Sequence, residues 1–135
     1  REPCYIASDS QDNVYVVDRI NNRVQKFDKY GQFITKWGAN NGVPMQDPLD
    51  SWGLADGDLF LPVGIVIDDS DNVFVTDTSN NRVQKFTADG VFIEKWGEFG
   101  GEQENFFSPQ GIACGSNGEI YVVDALLNRV VKYIQ

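Results

Sequence analysis

Asn21-Asn22-Arg23-Val24-Gln25-Lys26-Phe27 is a stretch that this chain writes three times. It returns intact as Asn80-Asn81-Arg82-Val83-Gln84-Lys85-Phe86 and, altered, as Leu127-Asn128-Arg129-Val130-Val131-Lys132-Tyr133. Each copy follows a short apolar run that ends in aspartate: Val14 to Asp18, Val73 to Asp77 and Ile120 to Asp124. Repetition of this kind means that one small unit is stacked on copies of itself, each burying an apolar face that it cannot bury alone. The repeat therefore decides the architecture before any single residue does.

The three arginines lie 59 and 47 residues apart (82 − 23 and 129 − 82). The shorter spacing fits one four-stranded β-propeller blade, whose repeat is roughly 40–50 residues. The longer spacing is a blade plus 12 residues (59 − 47), which fall between Gly38 and Pro62. Within a unit the first strand signal opens at a proline: Pro3 to Asp9, Pro62 to Asp68, Pro109 to Gly115. Proline at a strand's first residue costs no ladder bond. The near-continuous apolar run predicts a strand buried on both faces. The second strand is the run ending in aspartate, and the third runs from each arginine to Phe27, Phe86 or Tyr133. Turns with glycine at Gly31 and Gly90 lead to a fourth strand, Phe33 to Trp37 or Phe92 to Trp96, where a period of two puts Phe33, Thr35 and Trp37 on one side. Turn signals recur at the spacing of all-β folds, and nothing reads as helix.

Composition narrows the class further. The 135 residues are 41% hydrophobic and 13% aromatic, enough for a core. The formal net charge is -9, and a protein that binds nucleic acid by neutralising phosphate shows the opposite balance. No stretch reaches the roughly 18 apolar residues of a membrane span. No secretory signal is visible, so any targeting segment is expected to be removed or not included. Two cysteines, Cys4 and Cys114, stand on first strands two units apart; the expectation is two small buried thiols without a bridge.

The second unit carries the fullest pattern: Pro62-x-Gly64-Ile65, Asp68, Val73-Phe74-Val75-Thr76-Asp77-Thr78-x-Asn80-Asn81-Arg82-Val83-Gln84-Lys85-Phe86, Gly90 and Lys95-Trp96-Gly97. It resembles the NHL repeat, and the resemblance covers nearly the whole chain apart from the insertion. Unit one departs at Tyr5, where the pattern has glycine, and unit three at Leu127. The resemblance implies a β-propeller, usually six-bladed. On this reading the fold is all-β and the chain a single propeller segment: blade one at 3–38, an insertion and crossover at 39–61, blade two at 62–97, a crossover at 98–108, and blade three at 109–135 without its outer strand. Three blades alone leave two apolar flanks open to water, which a monomer does not tolerate. Either the chain is a piece of a longer propeller, or two copies close head to tail into a ring of six.

Antiparallel connectivity puts the second-to-third-strand loops and the crossovers on one face of the disc, where loops on a rigid scaffold usually carry function. The residues that differ between units there are the candidate binding set: Arg19, Ile20, Ser79 and Leu126, joined by Met45, Trp52 and Leu54 from the insertion. The pairs Asp18 with Arg23, Asp77 with Arg82 and Asp124 with Arg129 recur once per unit, as architectural groups do, and are expected to hold the loops rather than to react. The acidic turns 9–13 and 68–72 lack the glycine and distal glutamate of an EF-hand loop. They are expected to be hairpin turns, and the acids Asp47, Asp50, Asp56 and Asp58 either to hold an ion or simply to be solvated, with solvation favoured. No metal and no cofactor is expected.

The chain has no histidine, so it supplies neither a Ser-His-Asp nor a Cys-His relay. The NHL resemblance includes an enzymatic branch, the amidating lyases, whose metal site uses histidines; other relatives are protein-interaction or RNA-binding domains. The reading favoured by these residues is a non-enzymatic interaction scaffold, extracytoplasmic by resemblance to secreted repeats, with protein partners or a second copy and no nucleic acid. The alternative is part of a propeller hydrolase or lyase whose catalytic residues lie in other blades.

Overall fold

Val14-Tyr15-Val16-Val17 alternates sides along an extended backbone, and its copies at Val73 and Ile120 do the same, so each becomes an inner rung of an antiparallel sheet. The computed structural model describes residues 1–38 and 54–134. Three antiparallel sheets form among them. The first has the order β1 (Pro3–Ser8), β2 (Val14–Asp18), β3 (Arg23–Phe27), β4 (Phe33–Gly38). The second has β5 (Ile65–Ile67), β6 (Val73–Asp77), β7 (Arg82–Phe86) and β8 (Phe92–Trp96). The third has β9 (Pro109–Cys114), β10 (Glu119–Asp124) and β11 (Arg129–Ile134). Short 3-10 turns at Arg19–Asn21 and Thr78–Asn80 join second strands to third; no α-helix occurs among the described residues.

The sheets stand face to face and meet along their first strands, with β5 touching both β1 and β9. Each has a leading face, toward the next sheet, and a trailing face. Tyr15, Val17, Val24 and Trp37 on the first leading face pack against Ile65, Val73, Val75 and Phe86 on the second trailing face. Phe74, Val83 and Trp96 then pack against Ile112, Ile120, Val122, Val131 and Tyr133 of the third sheet. Leu59 and Phe106 plug the two cores from the segments between sheets, both fully buried. The middle sheet is thus covered on both sides, and Val73, Phe74 and Val75 in succession have no exposed surface. Burial of each is worth about 1.5–3 kcal/mol. The outer flanks are bare, with Ile6 67% and Val130 63% exposed.

The register explains where the expected pattern breaks. Lys26 faces Thr35 but Phe27 faces Phe33, so Ile34 bulges, and Phe86 facing Phe92 puts the same bulge at Ile93. Phe33 therefore lies on the trailing face, against Phe27 (6.0 Å), and not beside Trp37 as a strict period of two requires. The first strands also differ from expectation. They are not buried on both faces: β1 is almost wholly exposed, because it is the innermost strand of a sheet whose trailing face has no neighbour. Cys4 is exposed, its thiol beside the Val63 carbonyl (3.5 Å), and Cys114 is half-buried at the margin of the second core, rather than both interior; both thiols are free. β5 is short because Val63 N–H and Gly64 C=O both bond Thr76, an irregularity that Thr76 Oγ1 secures by accepting the Gly64 N–H (2.7 Å).

Candidate binding face

Each residue of the repeated stretch has a distinct task at the end of its sheet. In the second sheet, Asp77 has no exposed surface and accepts bonds from Arg82 Nε (2.7 Å), Asn80 Nδ2 (2.9 Å), Gln84 Nε2 (3.0 Å) and the Phe60 N–H (2.7 Å). Burial raises its carboxyl above the ordinary value, against the pull of those donors and of the Arg82 charge. Arg82 turns its other nitrogens on the incoming segment, donating to the carbonyls of Leu54 (3.0 Å), Ala55 (2.9 Å) and Asp58 (2.9 Å). The second asparagine, Asn81, takes the left-handed backbone that the tight turn demands (φ +54°), as do Asn22 and Asn128. Valine enters the core, lysine lies over an aromatic ring of the neighbouring strand (Lys85 on Phe74, 5.3 Å), and phenylalanine closes the trailing face.

The third sheet repeats the clamp on the segment after β8. Arg129 donates to the carbonyls of Gly101 (3.3 Å), Glu102 (2.9 Å) and Asn105, while Asp124 accepts the N–H groups of Phe107 and Ser108. Arg129 Nε stands 3.4 Å from Asp124 without hydrogen-bond alignment. In the first sheet Asp18 accepts Arg23 Nε (2.8 Å), Asn21 Nδ2 on both carboxylate oxygens (2.9 Å each) and the Arg1 ammonium. Its carboxyl feels burial first, but these donors outweigh it and hold it below the usual range. The clamps fix the loops as rigid bodies.

On this frame sit the candidate contact residues. Ile20 is 41% exposed, Leu54 66% and Leu126 67%; Ser79 is exposed, its N–H bonded to Phe60 C=O (3.1 Å). Arg19 is half-buried and pairs with Glu2 (3.2 Å). Leu61 N–H bonds Asn22 Oδ1 (2.8 Å), so the segment entering the second sheet lies against the 3-10 turn of the first and the two share one face. Met45 and Trp52, with Asp47 and Asp50, lie outside the described residues. Gln84 and the paired asparagines, part of the repeated stretch, prove as much a part of the clamp as the acid and the arginine; their recurrence was the available signal.

The opposite end carries the acidic turns. Asp9 accepts from Gln11 N–H (3.0 Å), Asn13 N–H (2.9 Å), Asn13 Nδ2 and Tyr15 Oη (2.9 Å). Asp68 is bonded in the same way by Ser70 and Asn72. The lone pairs that a cation would need are taken up by the hairpins themselves. Asp56 pairs with Lys95. Asp58 has its carboxyl raised by burial, with Arg82 opposing. No group of metal-ligating side chains occurs among the described residues.

The NHL repeat profile matches residues 61–86. Protein lin-41 of Caenorhabditis elegans is 54% identical over 43 residues, covering 32% of this chain and 4% of that protein. Protein brain tumor of Drosophila melanogaster is 30% identical over 98 residues, 71% of this chain and 8% of that protein. The chain thus spans less than a tenth of the length of these relatives. Among solved structures, a streptogramin B lyase superposes with a TM-score of 0.63 at 19% identity, covering 96% of this chain and 39% of that one. An auxiliary nutrient binding protein from Bacteroides thetaiotaomicron gives 0.68 at 16% identity, with 94% and 36% covered. At such identities the likeness is one of fold, which does not fix activity. With its matched repeat, the two further copies and sheets that stack face to face about their first strands, the chain belongs to the NHL-repeat β-propeller proteins.

Proposed function

We propose that this propeller segment, with blades at 3–38, 62–97 and 109–135, is a non-enzymatic scaffold that takes a protein partner on the face formed by the 3-10 turns and the segments between sheets. One observation carries the reading: an Asp–Arg pair recurs at the same loop in each sheet, while the side chains at the tips differ from unit to unit and stand exposed. Ile20, Leu54 and Leu126 offer separated apolar anchors on a rigid frame, the arrangement in which few residues dominate binding energy. Similarity to lin-41 and brain tumor supports a scaffold; the fold likeness to propeller lyases keeps an enzymatic whole in view, but without histidine this segment would contribute no imidazole to its chemistry. The ring of six belongs to the same proposal: the bare flanks repeat the residue classes that already meet between the sheets.

The test is quantitative affinity capture with the intact chain against Leu54→Ser and Leu126→Ser, using Asp69→Ser at the opposite end as control. The scaffold reading expects one set of captured proteins to be lost from both leucine variants and retained by the control. Retention by all three variants would refute it.

A further inference from the structure

The segment leading from the second sheet to the third is tied into a closed loop. Phe106 N–H bonds the Glu98 carbonyl (2.9 Å), Gly100 N–H the Phe106 carbonyl (3.1 Å) and Asn105 N–H the Glu102 carbonyl (3.1 Å). Arg129 grips the carbonyls of Gly101, Glu102 and Asn105, and Tyr133 Oη donates to that of Glu104 (3.0 Å). Sheets stand on both sides of this loop, and Phe106 is buried between them, so its outer surface is not one of the bare flanks.

On this fixed backbone Phe99 is 68% exposed, and its ring meets that of half-buried Phe107 with centroids 4.5 Å apart. Phe107 N–H bonds Asp124, and Ala125 N–H bonds the Ser108 carbonyl (3.0 Å), which brings the turn that carries exposed Leu126 beside the aromatic pair. Glu98, Glu102 and Glu104 stand exposed on the same loop. Among the described residues none of the three carboxylates has an ion-pair partner, and Arg129 directs its terminal nitrogens to carbonyls. An open aromatic face edged by unpaired carboxylates attracts a cation twice over, through the ring quadrupole and through charge. We propose that this loop docks a basic segment of a partner protein, with an arginine or lysine over Phe99 and an apolar neighbour against Leu126. The inference rests on the scaffold reading and specifies its partner. A wholly apolar partner would desolvate three carboxylates without pairing them, and an anionic one would meet like charge. The net charge of -9 steers a cationic segment toward the chain.

The experiment titrates the whole chain into a fluorescein-labelled peptide, Arg-Arg-Leu-Arg-Arg-Leu, and reads anisotropy; a second peptide carries citrulline at every arginine, keeping shape and apolar content but no charge. The arginine peptide should saturate, and the citrulline peptide should bind at least about tenfold more weakly, the sum of several exposed ion pairs and one cation–π contact. Phe99→Leu, which keeps apolar area but removes the π face, should weaken the arginine peptide about two- to fivefold. Joint replacement Glu98→Gln, Glu102→Gln and Glu104→Gln should remove saturation. The control Asp12→Asn, Asp69→Asn and Asp89→Asn neutralises as many exposed carboxylates on turns at the opposite end and should leave binding unchanged. No saturation, equal binding of the citrulline peptide, unchanged affinity in Phe99→Leu, or equal losses in the two triple variants would each overturn the proposal. Proteins captured through Leu126 with no binding of the arginine peptide would overturn this inference and leave the scaffold reading standing. Peptide binding that depends on Phe99 and the glutamates, with capture indifferent to the leucines, would uphold the site and overturn the scaffold reading instead.

Discussion

Replacing Arg82 by alanine isolates what the clamp contributes. The arginine side chain is 7% exposed and its partner Asp77 not at all, so the substitution strands a carboxylate with no counter-charge in a dry site. Breaking a buried pair from one side costs about 3–5 kcal/mol. For a chain of this size 1 kcal/mol moves the midpoint by about 4 °C, so Arg82→Ala should lower Tm by about 12–20 °C. Arg23→Ala is the internal control. Its side chain is 21% exposed, and Asp18 retains the bonds from Asn21 Nδ2 to both its oxygens, so the loss should be about 1–2 kcal/mol, or about 4–8 °C. Thermal melts followed by circular dichroism at neutral pH give both numbers. Equal shifts for the two variants would refute the claim that the carbonyls of the entering segment and the buried acid make the second clamp the stronger.

Gly90 takes φ +83° beneath the Trp37 indole, where a Cβ would collide with the ring; Gly31 has nearly the same φ but open space. Gly31→Ala should cost about 1 kcal/mol for backbone strain, and Gly90→Ala a further 1–3 kcal/mol for overpacking, about the same as each other only if the indole is elsewhere. Asp9 is held below its ordinary value because donation from Asn13, Tyr15 and Gln11 outweighs burial. A carboxylate lowered in the folded state contributes stability above its unfolded value of 3.8, lost as pH falls through the folded one. Urea midpoints should therefore fall on acidification below about pH 4, and less steeply in Asp9→Asn. Burial, aided by Asp68 and Asp69, pushes the Cys114 thiol up to about 11. Its thiolate fraction at pH 8 is then about one in a thousand, and alkylation followed by mass spectrometry should find it far slower than free cysteine.

Much of this was legible in the chain because the repeat displays each position more than once. Asp18, Asp77 and Asp124, each five residues before an arginine, announced a structural pair, and the short apolar, largely β-branched run Val73-Phe74-Val75-Thr76 announced a strand. What periodicity missed has a physical cause in each case. The bulges at Ile34 and Ile93 reverse the side of Phe33 and Phe92, and a bulge has no signature in apolar pattern alone. Exposure of β1 depends on whether a neighbouring sheet covers the flank, a tertiary fact absent from local sequence. The proposed contact residues were the least legible, since Ile20, Leu54 and Leu126 are marked only by failing to repeat.

The account rests on sheets packed in series, with a doubly covered middle and bare outer flanks, and residue-resolved amide hydrogen exchange tests that directly. Protection should be greatest in β6 and β7, intermediate in β2 and β3, and least in β1 and along β11. Uniform protection across the three sheets, or slow exchange in β1 equal to that of β6, would contradict it.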